Sequence, residues 1–168
     1  MSTLVIDTRP ARISDASLIA EAHDEAWRYA YRGIIPGREL ERMILRRGAR
    51  WWESAISRGS RILVLAAGDD IAGYASYGKN RATMLPVKGE IYEIYVRPHY
   101  QGIGLGRKLF MACRGDLAAR GMGGLAVWAL TDNEPACDFY RAIGGLPAAR
   151  GSESFGSVTL EKIAFTWP

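Results

Sequence analysis

With 168 residues, 48% of them hydrophobic and 24% charged, the chain has material for one real buried core, and a single domain over 1–168 is expected. The net charge of +4 suits a polyanionic ligand without demanding one, and no lysine/arginine block marks a nucleic-acid-binding arm. Neither a signal-peptide pattern nor an apolar run of about 18 residues occurs, so a cytoplasmic protein with no membrane partner is expected. LVIDTRPA near the start alternates weakly and predicts a first strand. Ser14 is placed to cap a helix over Asp15–Arg32, with Leu18, Ala22 and Ala26 four apart, stopped by Gly33 and Pro36. A second helical stretch, 38–57, carries Leu40, Ile44 and Trp51 and is expected to break near Gly48. Its Arg46, Arg47 and Arg50 read as a solvated face.

RILVLAA (61–67) and IAGYASYG (71–78), joined across Asp69-Asp70, predict a β-hairpin, and EIYEIYV (90–96) a further strand. A helix follows the glycines near 104, with Leu105, Leu109, Cys113 and Leu117 four apart. GLAVWAL (124–130) reads as a strand buried on both faces, NEPACDFYRAI (133–143) as a short helix ended by Gly144-Gly145, and SVTLEKIAF (157–165) as the closing strand. The two cysteines, Cys113 and Cys137, lie in helical patterns without CxxC spacing and read as buried thiols. The fold class is α+β.

The informative stretch is VRPHYQGIGLGRKL (96–109), where Gly102, Gly104 and Gly106 directly precede an amphipathic run. Glycine is costly there unless the backbone must turn sharply or approach another molecule closely. A glycine turn before a helix exposes consecutive N–H groups to an anion, and the helix terminus adds about half a positive charge. Two phosphate loops fail on the residues. GxGxxG would need glycine where Arg107 stands, and the near match GxxxxGK at Gly73, Gly78 and Lys79 is followed by Asn80 and reads as strand.

Gln101-Gly102-Ile103-Gly104-Leu105-Gly106 does fit [RQ]-x-x-G-x-[GA] after a strand and Arg97-Pro98. Asn133, Ala136, Phe139 and Tyr140 form N-x-x-A-x-x-F-Y about 27 residues further on. The pair of motifs resembles the GNAT superfamily of N-acetyltransferases, over the whole chain from the RPA step of the first strand to the last strand. The departure is Gly144-Gly145, where the family usually has glycine and an aromatic.

The resemblance implies a GNAT fold: one mixed, largely antiparallel central sheet flanked by helices, with a splay between the fourth and fifth strands. It also implies transfer of acetyl from acetyl-CoA to a primary amine by direct attack in a ternary complex. Residues 101–107 (Gln101, Gly102, Ile103, Gly104, Leu105, Gly106, Arg107) would cradle the pyrophosphate, with Asn133 and Tyr140 also facing the cofactor. Tyr95 and Val96 would pair with the pantetheine arm, and the Val96 N–H would polarise the thioester carbonyl. Tyr140 is the candidate acid for the leaving thiolate, its ionisation setting a high-pH limb.

For the base, Glu90 comes first, Glu93 second and a water chain third. Three residues apart on a regular strand they face opposite ways, unless a bulge intervenes. Trp27, Tyr31 and Trp52 are candidates to line the site of a small-molecule or peptide amine, or equally to staple helices to the sheet. No metal is expected, since His23 and His99 stand alone and no HExxH occurs. His23 reads as a helix-surface or packing residue, and His99 as a loop residue beside the phosphates. Dimers are common in that family, so a homodimer is admitted, though the sequence does not specify it. The alternative of another class is a catalytically silent coenzyme A-binding regulatory module of the same fold.

Overall fold

The computed structural model describes residues 5–168, so Leu4, the first residue of the predicted opening strand, lies outside the described residues. Seven strands form one sheet in the order β1-β2-β3-β4-β5-β7-β6. They are β1 (Ile6–Pro10), β2 (Arg61–Ala67), β3 (Asp70–Lys79), β4 (Gly89–Val96), β5 (Leu125–Leu130), β6 (Leu146–Phe155) and β7 (Val158–Trp167). The helices are α1 (Ala16–Tyr31), α2 (Gly37–Leu45), α3 (Ala49–Ser57), α4 (Leu105–Ala119) and α5 (Glu134–Ala142). All neighbouring strands are antiparallel except β4 and β5, which are parallel and carry register partners only for Gly89–Ile91 against Leu125–Val127.

Both sheet faces are covered, which is why β2 is an almost unbroken apolar run. Leu63 and Leu65 pack with Leu109, Phe110 and Cys113 of α4, while Ile62 and Val64 pack with Ile19 and Trp52 of α1 and α3. α1 buries Ala16, Ile19, Ala22, His23, Ala26 and Trp27, the stripe that a 3.6-residue period puts on one side. Gly73 and Gly78 belong to β3. Gly78 is bare because the Tyr92 ring crosses it, and a Cβ there would stand 2.8 Å from the phenol oxygen.

Three sequence expectations change. Ser14 does not cap α1. It sits in a 3₁₀ turn (Ile13–Asp15), and the Asp15 carboxylate takes the Arg12 N–H at 2.7 Å and both Arg9 η-nitrogens at 2.7 and 2.9 Å. That arginine holds the Asp15 carboxyl below its ordinary range. Strand β6 was not foreseen, because LPAARGSESF is mostly exposed and lacks an apolar alternation. The 124–130 strand is not closed on both faces, since Trp128 and Ala129 remain half-buried.

Gly145 stands where an aromatic was expected, and the reason is the far end of the sheet. The Trp167 ring of β7 fills that space, donating its indole N–H to the Ile143 carbonyl at 3.1 Å. A Cβ on Gly145 would meet that ring at 2.6 Å and the Tyr140 carbonyl oxygen at 2.8 Å. Gly145→Ala is therefore expected to lower stability by about 2 kcal/mol, as overpacking does. Denaturant melts compared with wild type check it.

His23 is buried, and neither ring nitrogen has a hydrogen-bond partner. It packs against Trp27 at 4.6 Å between ring centroids, with Trp52 at 5.8 Å. Burial first, and the Arg47 charge second, push its pKa from 6.5 down to about 3. The folded state thus binds no proton there while the unfolded chain does below pH 6.5. Stability falls as pH drops from about 6.5 towards 3, at about 1.4 kcal/mol per pH unit at most. His23→Leu is expected to flatten melting temperature against pH over that window; an unchanged slope would place the dependence elsewhere.

Candidate active site

A strand bulge shapes the site. Ser76 faces Glu93 but Tyr77 faces Ile91, so β4 carries one extra residue, Tyr92, against β3. Glu90 and Glu93, which regular pleating would send to opposite faces, both reach one cleft of about 280 Å³. Ile91 and Ile94 turn together to the α4 side. Trp27, Tyr31, Tyr95, Trp128 and Phe155 supply aromatic wall to the same cleft. A wider surface hollow of about 430 Å³ lies at the α1–α2 corner, bounded by Arg28, Pro36 and Leu40, away from the glycine turn.

The two carboxylates are held differently. Both Glu90 oxygens are engaged: Oε1 accepts the Arg81 backbone N–H at 2.9 Å and Oε2 its guanidinium at 2.8 Å. Glu93 Oε2 accepts from Arg47 at 2.8 Å and from the Ser76 hydroxyl at 3.3 Å, while its Oε1 is buried and takes no hydrogen bond from the protein. Arg47 is not on a solvated face as expected. It turns inward over the Trp51 ring, 4.1 Å from its centroid, because the chain breaks between α2 and α3. Trp52 is not brought to the cleft either; it is fully enclosed in the α1–α3 core, its indole N–H donating to the Arg47 carbonyl at 3.0 Å.

Trp27 and Tyr31 do reach the cleft. The Trp27 indole donates to the Tyr74 hydroxyl at 3.2 Å, and the Tyr31 and Tyr95 hydroxyls share a hydrogen bond. Burial pushes Tyr31 up to about 12 and raises Tyr95 as well, so these phenols stay protonated.

At its far end β4 enters the glycine turn. The Arg97 N–H donates to the Ala72 carbonyl at 2.8 Å. Antiparallel alternation then directs the Tyr95 N–H to β3 and the Ile94 and Val96 N–H groups to the opposite edge, past the last β4–β5 register pair. Gln101 ties the turn back, its side-chain amide donating to the Val96 carbonyl at 2.9 Å. Gly102 and Gly104 have φ of 82° and 83°, and nothing of the protein lies within 4 Å of a Cβ built on either. Gly104 is the N-cap of α4, just before its first residue, Leu105. Gly106 lies against α5, where a Cβ would stand 3.3 Å from the Phe139 ring. Ile103 and Arg107 are exposed, whereas Leu105 is anchored in the core.

Asn133 caps α5 through Oδ1, taking the Ala136 N–H at 3.4 Å. Tyr140 is buried against Phe165 and Trp167, and burial raises its pKa. That burial favours the protonated phenol, whereas the sequence reading has its ionisation set a high-pH limb. His99 is exposed beside Glu25 and Tyr100. Among the described residues no cluster of His, Cys, Asp and Glu could hold a metal ion, and no helix is long and apolar enough to cross a membrane.

Residues 19–144, well over half of the chain, match the acetyltransferase (GNAT) family. The chain belongs to the GNAT family of acetyltransferases. An uncharacterized N-acetyltransferase of Bacillus subtilis, YuaI, is 29% identical across 98% of this chain and 94% of its own length. Solved structures share the GNAT fold. A GCN5-related N-acetyltransferase from Rhodopseudomonas palustris superposes with a TM-score of 0.76 at 21% identity, covering 99% of this chain and 98% of its own. A PaiA N-acetyltransferase from Thermoplasma acidophilum, solved with coenzyme A, gives 0.74 at 18% identity, covering 94% and 98%. This GNAT protein is thus an N-acetyltransferase-type acyltransferase, and acetyl-CoA is the co-substrate of its family. Arg47 escaped the sequence reading because the break near Gly48 is legible, but not which of Arg46, Arg47 and Arg50 it turns inward onto Glu93. Arg81, Glu153 and Lys162, which also line the cleft, belong to no motif.

Proposed function

We propose that this single-domain enzyme acetylates a primary amine by direct attack on acetyl-CoA in a ternary complex. The observation that carries this is the open turn at Gly102 and Gly104, set at the head of α4 and beside the free-edge N–H of Val96. The turn and the α4 terminus take the pyrophosphate, with Gln101 fixing the turn and Arg107 adding charge. Tyr95 and Val96 lie along the pantetheine arm, and the Val96 N–H donates to the thioester carbonyl oxygen as negative charge develops there. Asn133 holds the start of α5 so that Tyr140 faces the sulfur end.

Glu93 is the better placed base, because one oxygen is fixed by Arg47 and Ser76 while the other is uncommitted. Glu90, wholly bound to Arg81, is a wall of the cleft. Of the two protons that leave the acceptor ammonium, one passes to solvent by way of Glu93 and the other restores Tyr140. Tyr140 gives its own proton to the departing thiolate. Its raised pKa does not forbid this, since a thiolate formed in the same dry surroundings is also a stronger base; the buried Cys113 thiol is pushed up to about 12.

Saturating acetyl-CoA is expected to raise the melting temperature, because it binds only the folded state. Free-thiol release from acetyl-CoA with a panel of amines, amino acids and peptides tests the transfer. A melting curve unmoved by acetyl-CoA would defeat the cradle. A shift without thiol release from any acceptor would favour a silent coenzyme A-binding module.

A further inference from the structure

The charges of the acceptor cleft are balanced and of both signs. Glu90, Glu93 and Glu153 meet Arg47, Arg81 and Lys162 in its lining. Two internal pairs, Arg81–Glu90 and Arg47–Glu93, each at 2.8 Å, account for four of them. Glu153 and Lys162 are left, and neither forms an ion pair or a side-chain hydrogen bond with the described residues. One unanswered charge of each sign therefore faces the acceptor.

The cations are also placed rather than loose. The Lys162 ammonium lies 4.9 Å from the Trp128 ring centroid and the Arg81 guanidinium 4.1 Å from that of Tyr92. Gly151 of β6 lies beside the pair, where a Cβ would make ordinary contact with the Lys162 stem at 3.4 Å and the Trp128 ring at 3.6 Å. Arg81 spends Nε and Nη2 on Glu90 and keeps Nη1 for another partner. Its loop is stiff, because the Asn80 amide donates to the carbonyls of Ala82, Leu85 and Val87 at 3.0, 3.3 and 2.9 Å. The opposite wall is apolar and aromatic, from Trp27, Ile35, Met43 and Phe155.

From this juxtaposition we infer that the acceptor is a free α-amino acid with an apolar or aromatic side chain, an inference that rests on the acetyl-transfer reading above. The carboxylate goes to Lys162 and Arg81, the ammonium to Glu153 and then Glu93, and the side chain to the aromatic wall. A polyamine brings surplus positive charge against a single free carboxylate and leaves Lys162 facing like charge. A simple amine leaves Lys162 unanswered and Arg81 Nη1 without a partner.

The test is thiol release from acetyl-CoA with leucine, methionine, phenylalanine and tryptophan, each paired with its decarboxylated amine: isopentylamine, 3-(methylthio)propylamine, phenethylamine and tryptamine. At least one amino acid is expected to exceed its amine at least tenfold in kcat/KM. Lys162→Met and Arg81→Gln are each expected to lower that ratio tenfold or more, mainly through KM; Lys162→Met breaks no internal ion pair, so its result does not depend on the fold of the Arg81 loop. Amines used as well as their amino acids would overturn the inference while leaving acetyl transfer intact. A preference unmoved in both variants would overturn the role of the two cations. Silence with all eight compounds, with the acetyl-CoA melting shift intact, would overturn the inference together with acetyl transfer to these amines.

Discussion

Glu93→Gln is expected to lower kcat by about 10²- to 10⁴-fold, the loss that follows removal of a general base. The amide keeps the shape and its oxygen can still accept from Ser76 and Arg47, so the acetyl-CoA melting shift should change little. The proton acceptor is lost together with the negative charge that faces Arg47, so a cost in stability accompanies the loss of kcat. Glu90→Gln should behave in the opposite way. Both its oxygens hold Arg81, so the amide substitution loosens the loop after β3 and costs about 1–3 kcal/mol of stability, with a smaller change in kcat. Pre-steady-state thiol release and thermal melts on the two variants separate these outcomes. A Glu90→Gln enzyme that loses kcat while Glu93→Gln keeps it would reverse the assignment.

Tyr140→Phe is expected to lower turnover by about 10- to 1000-fold while leaving acetyl-CoA affinity nearly unchanged. The ring keeps its packing on Phe165 and Trp167, and the substitution removes only the hydroxyl. The pH profile distinguishes this position from a free tyrosine. Because burial raises the Tyr140 pKa, the phenol stays protonated throughout the working range, and the alkaline limb of the rate profile should have the same shape in mutant and wild type. A limb that flattened in Tyr140→Phe would mean that the phenol titrates in that range and that its surroundings are wetter than the packing indicates. Unchanged turnover would leave Tyr140 as a core residue.

The glycine turn was legible in the sequence because its cause is local. Gly102 and Gly104, set between a strand and an amphipathic run, mark a turn, and Asn133 with Tyr140 marks one short helix. The elements on either side follow from periodicity, down to the break between α2 and α3. The cleft was legible only in part: Trp27, Tyr31, Glu90 and Glu93 stand out in the sequence, but not what brings them together. Its two carboxylates share a face only because Tyr92 bulges out of β4, and a bulge depends on how β3 pairs, not on composition. Trp52 and Trp27 are equally apolar in sequence, yet one is sealed in the core and the other walls the cleft. Helix docking alone separates them. Lys162 acquires a role only when β6, β7 and β5 are laid side by side, and β6 itself was hidden by its exposed, polar residues.

The proposed cofactor apparatus is one continuous stretch, running from the end of β4 through α4 to α5, whereas much of the cleft comes from the two flanks, residues 27–47 and 153–162. Fuel handling and choice of cargo are therefore separable modules in inheritance. On that reading, drift in the flanks can shift the acceptor preference without disturbing the thioester, and a chimera carrying both flanks of a relative would move towards that relative's clientele while keeping its own Arg81, Glu93 and grip on acetyl-CoA. Exchange of either flank alone would leave half a cleft, with mismatched charges and no matching acceptor.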